Sequence, residues 1–286
     1  MAYGNHRSAH PHLGAIRAEI RLDVLHGRAL FIYRHCAHKI MGLRVSPLGV
    51  VEAPKFRIIH DLSFPPSPRS ARVNDDTDCS QASAVALRHI VRDVYQRVIF
   101  LGQKFGVRAR VMLSKIDVKS AFRKISLDPA RAPVFGYVVD DLVVVDLRLQ
   151  FGWRSSPGFW GLFSAVLEHS HTLTGGGVDP LIVRYYVDDG ILVEVYDHFR
   201  LHGVRGPNDQ PLLSKQKMSE WDTRWEVLGF KIDSEGMTVS LPMHKVDKLR
   251  GISEEWQRSR RTVTAKQIPS LLGFFLHVAL VVRPGK

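Results

Sequence analysis

Apolar positions along this chain alternate between two periods. From 84 to 101 they fall at Leu87, Val91, Val94, Val98 and Leu101, a spacing of four and three that predicts one face of a helix, ended by Gly102 and Gly106. An earlier amphipathic helix is expected at 13–26. A short strand at 56–60 runs into Pro-Pro-Ser-Pro, which neither a helix nor a central strand tolerates. Residues 111–116 read as an apolar strand that stops at Asp117, and "FGYVVDDLVVVDLRL" (135–149) as a β-hairpin turning at Asp140-Asp141. Ser155-Ser156-Pro157 supplies a serine cap and a first-turn proline for a helix to about Leu173, closed by three glycines at 175–177. A second hairpin is expected at 181–195, then polar Gly- and Pro-containing sequence at 197–220. A strand pair at 225–233 and 237–241 follows, and helices at 245–258 and 265–282 end the chain. Strands and helices mix without regular alternation and without repeats, which predicts an α+β fold rather than a doubly wound sheet.

Composition narrows the partners. The 286 residues are 45% hydrophobic and carry a formal charge of +12. That surplus favours polyanions, nucleic acid before membrane; a soluble protein that is merely basic is the plainer reading. The longest apolar run, "LLGFFLHVALVV" at 271–282, has 12 residues, against the roughly 20 of a membrane-spanning helix, so no membrane partner is expected. Two cysteines, Cys36 and Cys79, build neither a disulfide framework nor a cysteine zinc site. The N-terminus lacks the apolar core of a signal peptide, and the chain reads as intracellular.

The candidate chemistry lies in "RYYVDDGILV" (184–193). Taken alone, Asp-Gly between strand-like runs signals a hairpin turn, because glycine accepts positive φ, and "YVVDDLVV" at 137–144 looks the same. However, the strands around Asp188-Asp189 are apolar on both faces, as in a strand central to a sheet. The apolar strand at 111–116 also ends in a carboxylate, Asp117. If it lies beside the hairpin, three carboxylates gather at one edge of one sheet. Like charges so placed repel unless cations neutralise them. Hard divalent cations prefer oxygen ligands, and a pair of them suits in-line phosphoryl displacement.

Five segments, in order, resemble those of reverse transcriptases of retrotransposons. They are "KFRIIHDLS" (55–63), "KIDVKSAF" (115–122), "LQFGWRSSPGFW" (149–160), "YVDD" (186–189) and "LGFKID" (228–233). The ending "KQIPSLLGFFLHVALVVRPGK" is most like the tyrosine-recombinase (DIRS-type) elements. The order also separates the two Asp-Asp pairs, since the family's metal pair follows the "FGWRSSPG" segment and Asp140-Asp141 precede it.

The resemblance implies a right-hand polymerase: an N-terminal segment and fingers at 1–106, a palm of antiparallel sheet backed by helices at 107–241 with a fingers hairpin at 128–152, and a short, truncated thumb at 242–286. It implies RNA-directed DNA polymerase activity on a primed RNA or DNA template, with deoxynucleoside triphosphates and two Mg²⁺ ions, Mn²⁺ being the alternative. Asp117 and Asp188 would ligate both metals, with Asp189 nearby and the Val118 carbonyl as a further ligand. Phe122 would sit under the sugar and exclude a ribose 2′-hydroxyl; a core aromatic is the alternative. Arg57, assisted by Lys55, would pair with the triphosphate, although Lys55 also fits a solvated strand face. Gly152 would let the backbone approach the nucleotide, or simply turn the chain. Lys217 would protonate the pyrophosphate, in competition with Lys215. Arg258, Arg260, Arg261 and Lys266 would contact the duplex backbone. Between the catalytic hairpin and "LSKQKM" the sequence has room for little more than two helical turns where the family has a longer helix. With no protease, ribonuclease H or integrase signature present, a non-catalytic remnant that binds nucleic acid is the rival expectation.

Overall fold

Ile90, Val94, Val98 and Leu101 are the buried stripe of a 19-residue helix, and the residues they pack on define one of two compact units. The computed structural model describes residues 4–52, 56–65, 71–80, 87–106, 109–174, 183–195, 219–259 and 268–279. In chain order the elements are α1 (Leu13–Leu25), β1 (Ala29–Tyr33), β2 (Leu48–Val51), β3 (Arg57–His60), α2 (Leu87–Phe105), β4 (Val111–Asp117), β5 (Gly136–Val139), β6 (Leu142–Asp146), α3 (Ser156–Thr174), β7 (Val183–Tyr186), β8 (Asp189–Val195), β9 (Arg224–Val227), β10 (Phe230–Asp233), β11 (Thr238–Ser240), α4 (Met243–Ser259) and α5 (Ile268–Ala279). Short 3₁₀ turns join several of them. This is the expected mixture of helices and antiparallel sheets.

One unit comprises Met1–Val85 with Ser120–Ala165. Its sheet has the order β1-β6-β5, and β2 pairs with β3 as a separate ladder. Its core joins Ile16 and Ile20 of α1 to Leu48 and Val50 of β2 and to Tyr137, Val139 and Val144 of the β5–β6 hairpin. That hairpin turns at Asp140-Asp141 as expected, with Asp140 at φ 56. Asp140 is held by Arg17 through bonds of 2.7 Å and 2.9 Å, and this exposed contact keeps its carboxyl below the usual range. The decoy Asp-Asp pair thus serves a structural ion pair. β1 was not expected from the sequence.

The other unit comprises Ala86–Lys119 with Val166–Lys286. Its sheet has the order β4-β8-β7, with β8 central, as the two-sided apolar pattern requires. Val111 and Leu113 of β4 and Ile191, Val193 and Val195 of β8 lie on one face and pack with the α2 stripe, Val227 and Ile232. Burial of each such side chain stabilises by about 1.5–3 kcal/mol. Three details differ from expectation. The stripe uses Ile90 rather than Val91. α2 runs through Gly102 to Phe105, and of the two glycines expected to end it only Gly106, left-handed at φ 85, does so. Finally, 225–233 is a hairpin of two strands, β9 and β10, turning at Leu228 (φ 52) and Gly229 (φ 78), and β11 is the third strand of that sheet.

Candidate active site

Asp117 and Asp189 stand opposite one another at one end of the β4-β8-β7 sheet. β4 and β8 pair in register from Val111↔Val195 to Asp117↔Asp189. Directly opposed residues share a face and hold their Cβ atoms about 4.5–5.5 Å apart. The face that is apolar at Leu113 and Val193 therefore becomes ionic at Lys115, Asp117 and Asp189. Asp117 is buried, at 7% exposure. Asp188 occupies the turn beside them, and its carbonyl accepts the Val118 N–H at 2.8 Å. That bond fixes the chain beyond β4 against the turn.

The turn is not the Asp-Gly turn that the sequence suggests. β7 ends at Tyr186, β8 starts at Asp189, and the two loop residues are Val187 and Asp188. The left-handed residue is Val187, at φ 54. A β-branched residue there is strained, at a cost of about 1–3 kcal/mol, and such strain clusters at functional sites. Gly190 already belongs to the central strand. It is needed for space: a Cβ there would lie 2.6 Å from Ile116 Cγ1 and 2.7 Å from Tyr185 Cε1. Gly190→Ala is expected to destabilise by about 1–3 kcal/mol through overpacking. Urea unfolding checks this, and a variant with the wild-type midpoint would refute the packing role.

Neighbouring residues hold the two outer strands. Ser219 accepts the Lys115 N–H on its hydroxyl at 2.6 Å and donates its own N–H to the Lys115 carbonyl at 2.9 Å. On β7, the Tyr185 N–H donates to Glu168 Oε1 at 2.7 Å, and Arg184 bridges Glu168 and Asp93. Burial raises the Glu168 carboxyl above its ordinary range. The sequence reading missed Lys115, whose Nζ lies 3.6 Å from Asp189. The signal was available, because Lys115 stands two residues before Asp117 and so shares its strand face.

Whether a cation fits follows from the donors. Asp117 and Asp189 offer carboxylate oxygens on one face, with Asp188 adjoining. Among the described residues no group of three or more His, Cys, Asp or Glu side chains is arranged to hold an ion. The set does not make a closed protein cage. It fits Mg²⁺ bound through one or two carboxylates and completed by substrate phosphates. Asp117, Asp188, Asp189 and the Val118 carbonyl would hold it.

The nucleotide-side candidates of the first unit surround a cavity of about 240 Å³. Phe122 lines it at 7% exposure, with its ring centroid 5.1 Å from that of Phe151. Arg57 stands exposed on β3 with its guanidinium 6.0 Å from the Phe151 ring centroid, and among the described residues no carboxylate pairs with it. Gly152 has φ +111, and a Cβ there would lie 1.9 Å from the His60 carbonyl oxygen. The approach that demands glycine is thus made by the chain's own β3. Asn74, also unforeseen, donates to the Gly152 carbonyl at 2.8 Å and accepts the Arg154 N–H at 3.0 Å. Lys55, Lys215, Lys217, Arg260, Arg261 and Lys266 lie outside the described residues, as does the side chain of Arg258.

His60 is buried, and its Nε2–H donates to the Gly136 carbonyl at 3.0 Å. Burial pulls its pKa down to about 4, against the side chain of Gln150 and the Gly136 carbonyl, which favour the charged ring. Asp146 is pushed up to about 6, first by burial, with Arg123 opposing. The two act in opposite directions. As pH falls from 6.5 towards 4, the unfolded state takes up the His60 proton first and stability is lost. From about 6 downwards, folded Asp146 binds its proton more tightly than unfolded, and stability is gained. His60→Gln should therefore gain on wild type by on the order of 3 kcal/mol between pH 7 and pH 4, read from paired denaturation curves. A difference independent of pH would exclude a neutral, buried His60.

No family model and no curated protein matches the sequence. Among solved structures the chain is similar to the foamy viral protease–reverse transcriptase in complex with an RNA/DNA hybrid, with a TM-score of 0.61 and 16% identity over 96% of this chain and 32% of that one. It is similar to the same viral protein, in a form designated dRH, in complex with double-stranded DNA, with a TM-score of 0.60 and 16% identity over 97% of this chain and 41% of that one. It also resembles telomerase from Candida albicans in complex with a fragment of telomeric RNA, with a TM-score of 0.54 and 10% identity over 80% of this chain and 49% of that one. The match thus spans 32% to 49% of those proteins' length. Among the described residues no helix is long and apolar enough to cross a membrane. At these identities the likeness is one of fold, and the fold of this chain is reverse-transcriptase-like.

Proposed function

We propose that the chain is an RNA-directed DNA polymerase of a retrotransposon, of the tyrosine-recombinase (DIRS-type) group, acting inside the cell. It transfers deoxynucleotides to a primer 3′-hydroxyl on an RNA or DNA template. The observation that carries this reading is the register Asp117↔Asp189 across β4 and β8, with Asp188 in the adjoining turn, in a chain with this fold. In the proposal, residues 1–106 form the N-terminal segment and fingers, 107–241 the palm with the 128–152 hairpin, and 242–286 part of a thumb. Asp117 and Asp188 hold the cations, aided by Asp189 and the Val118 carbonyl. Two Mg²⁺ ions, when bound, would stabilise the attacking and leaving oxygens of the displacement. Arg57 and Lys55 pair with the triphosphate, where a planar guanidinium suits phosphate oxygens. Phe122 selects the deoxyribose, Gly152 keeps its segment of backbone close to the nucleotide, and Lys217 delivers a proton to pyrophosphate. The basic surplus holds the duplex through salt-sensitive phosphate contacts.

A second reading, a non-catalytic nucleic-acid-binding remnant, is favoured by the lack of a three-ligand cation group among the described residues. Primer extension on an RNA template with Mg²⁺ and deoxynucleotides separates the two. Wild type is expected to extend the primer and Asp188→Asn to lose at least about 10³-fold, the equivalent of several kcal/mol of transition-state stabilisation. Salt-sensitive duplex binding with no extension by either protein would establish the remnant instead.

A further inference from the structure

Two strand edges of the first unit are closed by the chain itself, and that of β1 is not. At the outer edge of β5, Asn5 donates its side-chain amide to the Val138 carbonyl at 2.8 Å, and Arg44 and Ser46 exchange backbone bonds with Gly136. At the outer edge of β2, the Leu48 N–H donates to Asn5 Oδ1 at 2.9 Å and the Val50 N–H to Ser8 Oγ at 3.1 Å. β1 has no such cover among the described residues and pairs only with β6. The bonds at its two ends show which of its backbone groups are left. The Leu147 N–H donates to the Arg28 carbonyl and the Arg34 N–H to the Asp141 carbonyl, both at 2.8 Å. Hydrogen-bonded pairs alternate along an antiparallel ladder, so Leu30 and Ile32 bond to β6, while the backbone groups of Ala29, Phe31 and Tyr33 point to the open side. Of these, the Tyr33 carbonyl caps the 3₁₀ turn at Arg34–Lys39.

An open edge is a template for another strand, and natural edges carry lysine, proline or a bulge against it. The five residues of β1, "ALFIY", include no charge and no proline, and their register with β6 is unbroken. Leu30 is 39%, Phe31 47% and Tyr33 59% exposed. A strand without charge has nothing to complement an anionic ligand, and Arg28 beside it is already paired with Asp23 at 2.8 Å. A second copy of the strand does complement it. In an antiparallel pairing about a two-fold axis at Phe31, the N–H and C=O of Phe31 bond to those of the partner's Phe31. The Tyr33 N–H bonds to the carbonyl of the partner's Ala29. Side chains then meet as Phe31 with Phe31, Leu30 with Ile32, and Tyr33 over Ala29, so each cross-strand pair is apolar and the largest group faces the smallest. An aromatic side chain buries about 150–250 Å², so half-exposed Phe31 and Tyr33 bring roughly 200 Å² against the ~800 Å² per partner of a standard interface. The pairing is therefore weak, with a dissociation constant in the micromolar range.

We propose that β1 is a self-association edge through which two copies of the chain pair, antiparallel about a two-fold axis at Phe31, joining β5-β6-β1 of each into one continuous sheet. The pairing uses both open edges and is closed, so it yields a dimer and not a fibre. It stands whether or not the chain polymerises DNA.

Sedimentation velocity of the full chain across micromolar concentrations should show reversible monomer–dimer exchange. The exchange should shift towards dimer as salt rises, because salt screens the repulsion between two chains of formal charge +12. Tyr33→Pro tests the ladder itself. Tyr33 already has φ −66, the angle proline requires, and its N–H faces the open side, so the monomer loses no hydrogen bond. Its melting temperature should hold while dimer affinity falls at least about 10-fold. Phe31→Lys sets two like charges opposite each other; it should weaken the dimer as far, and it preserves the test if proline perturbs the strand end. Under mild oxidation Phe31→Cys should cross-link the dimer, the paired Cα atoms being about 5.5 Å apart. Leu30→Cys should not, since its two copies lie about 8 Å apart. A chain that stays monomeric at every concentration, or a dimer that keeps its affinity in both Tyr33→Pro and Phe31→Lys, would overturn the proposal. So would cross-linking through Leu30→Cys alone, or a dimer that dissolves as salt rises, which is the behaviour of a nucleic-acid bridge.

Discussion

Gly152→Ala is expected to cost about 4–5 kcal/mol, enough to place it among the exceptional single substitutions. Two effects add. An L-residue at φ +111 carries about 1–3 kcal/mol of backbone strain. The new methyl would also fall 1.9 Å from the His60 oxygen and 3.0 Å from its carbonyl carbon, a contact that only backbone movement relieves. Neither side is free to move. β3 is paired to β2 through His60↔Leu48, and Asn74 ties the Gly152 carbonyl to the Arg154 N–H. Thermal unfolding should fall by about 10 °C or more. Gly102→Ala provides the contrast, because that helical glycine has nothing within 4 Å of a Cβ; about 0.5–1 kcal/mol of gain is expected. If Gly152→Ala melted with wild type, the close approach of β3 and the 149–153 segment would not exist in solution.

How far the sequence revealed this fold depends on what each element asks of its neighbours. The β4 strand and the β7–β8 hairpin were legible because both are apolar on both faces; a central position explains this for β8, while β4 and β7 are outer strands of the same sheet. Their union was open until the register Asp117↔Asp189 joined residues 72 positions apart. α2 was legible from its stripe, although the fully buried member is Ile90 rather than Val91. β1 was not legible: Leu30, Phe31 and Tyr33 are exposed, so its pattern carries no inward face to recognise. The turn within 225–233 was missed because Leu228 at φ 52 replaces the Asn or Asp that usually marks such a turn. Val187 misleads for the same reason. Propensity assigns the left-handed position to Gly190, whereas packing against Ile116 and Tyr185 requires glycine in the strand. The candidate site divides likewise. Asp117, Asp188 and Asp189 stand in ordered motifs, while His60, Asn74 and Gln150 gain meaning only from residues far along the chain.

Asp117→Asn should separate stability from chemistry more sharply than any other change. Asp117 and Asp189 oppose each other on one face of β4 and β8, and like charges in such a pair destabilise by about 0.2–1 kcal/mol. Lys115, 3.6 Å from Asp189, offsets part of that repulsion without removing it. An amide at 117 keeps the shape and deletes one charge, so the unfolding free energy should stay within about 1 kcal/mol of wild type or rise above it. Added Mg²⁺ with a deoxynucleoside triphosphate should raise the wild-type midpoint by mass action and leave the variant's midpoint unchanged. Primer extension should fall by at least about 10³-fold, since the substituted amide cannot supply the anionic oxygen on which a hard cation depends. A variant destabilised by 2 kcal/mol or more would identify Asp117 as a structural carboxylate. A variant that kept its Mg²⁺ response and its extension would move the cation site away from this strand end. Only the combination of intact stability, lost cation response and lost extension fits a carboxylate pair kept at an electrostatic cost for the ion it binds.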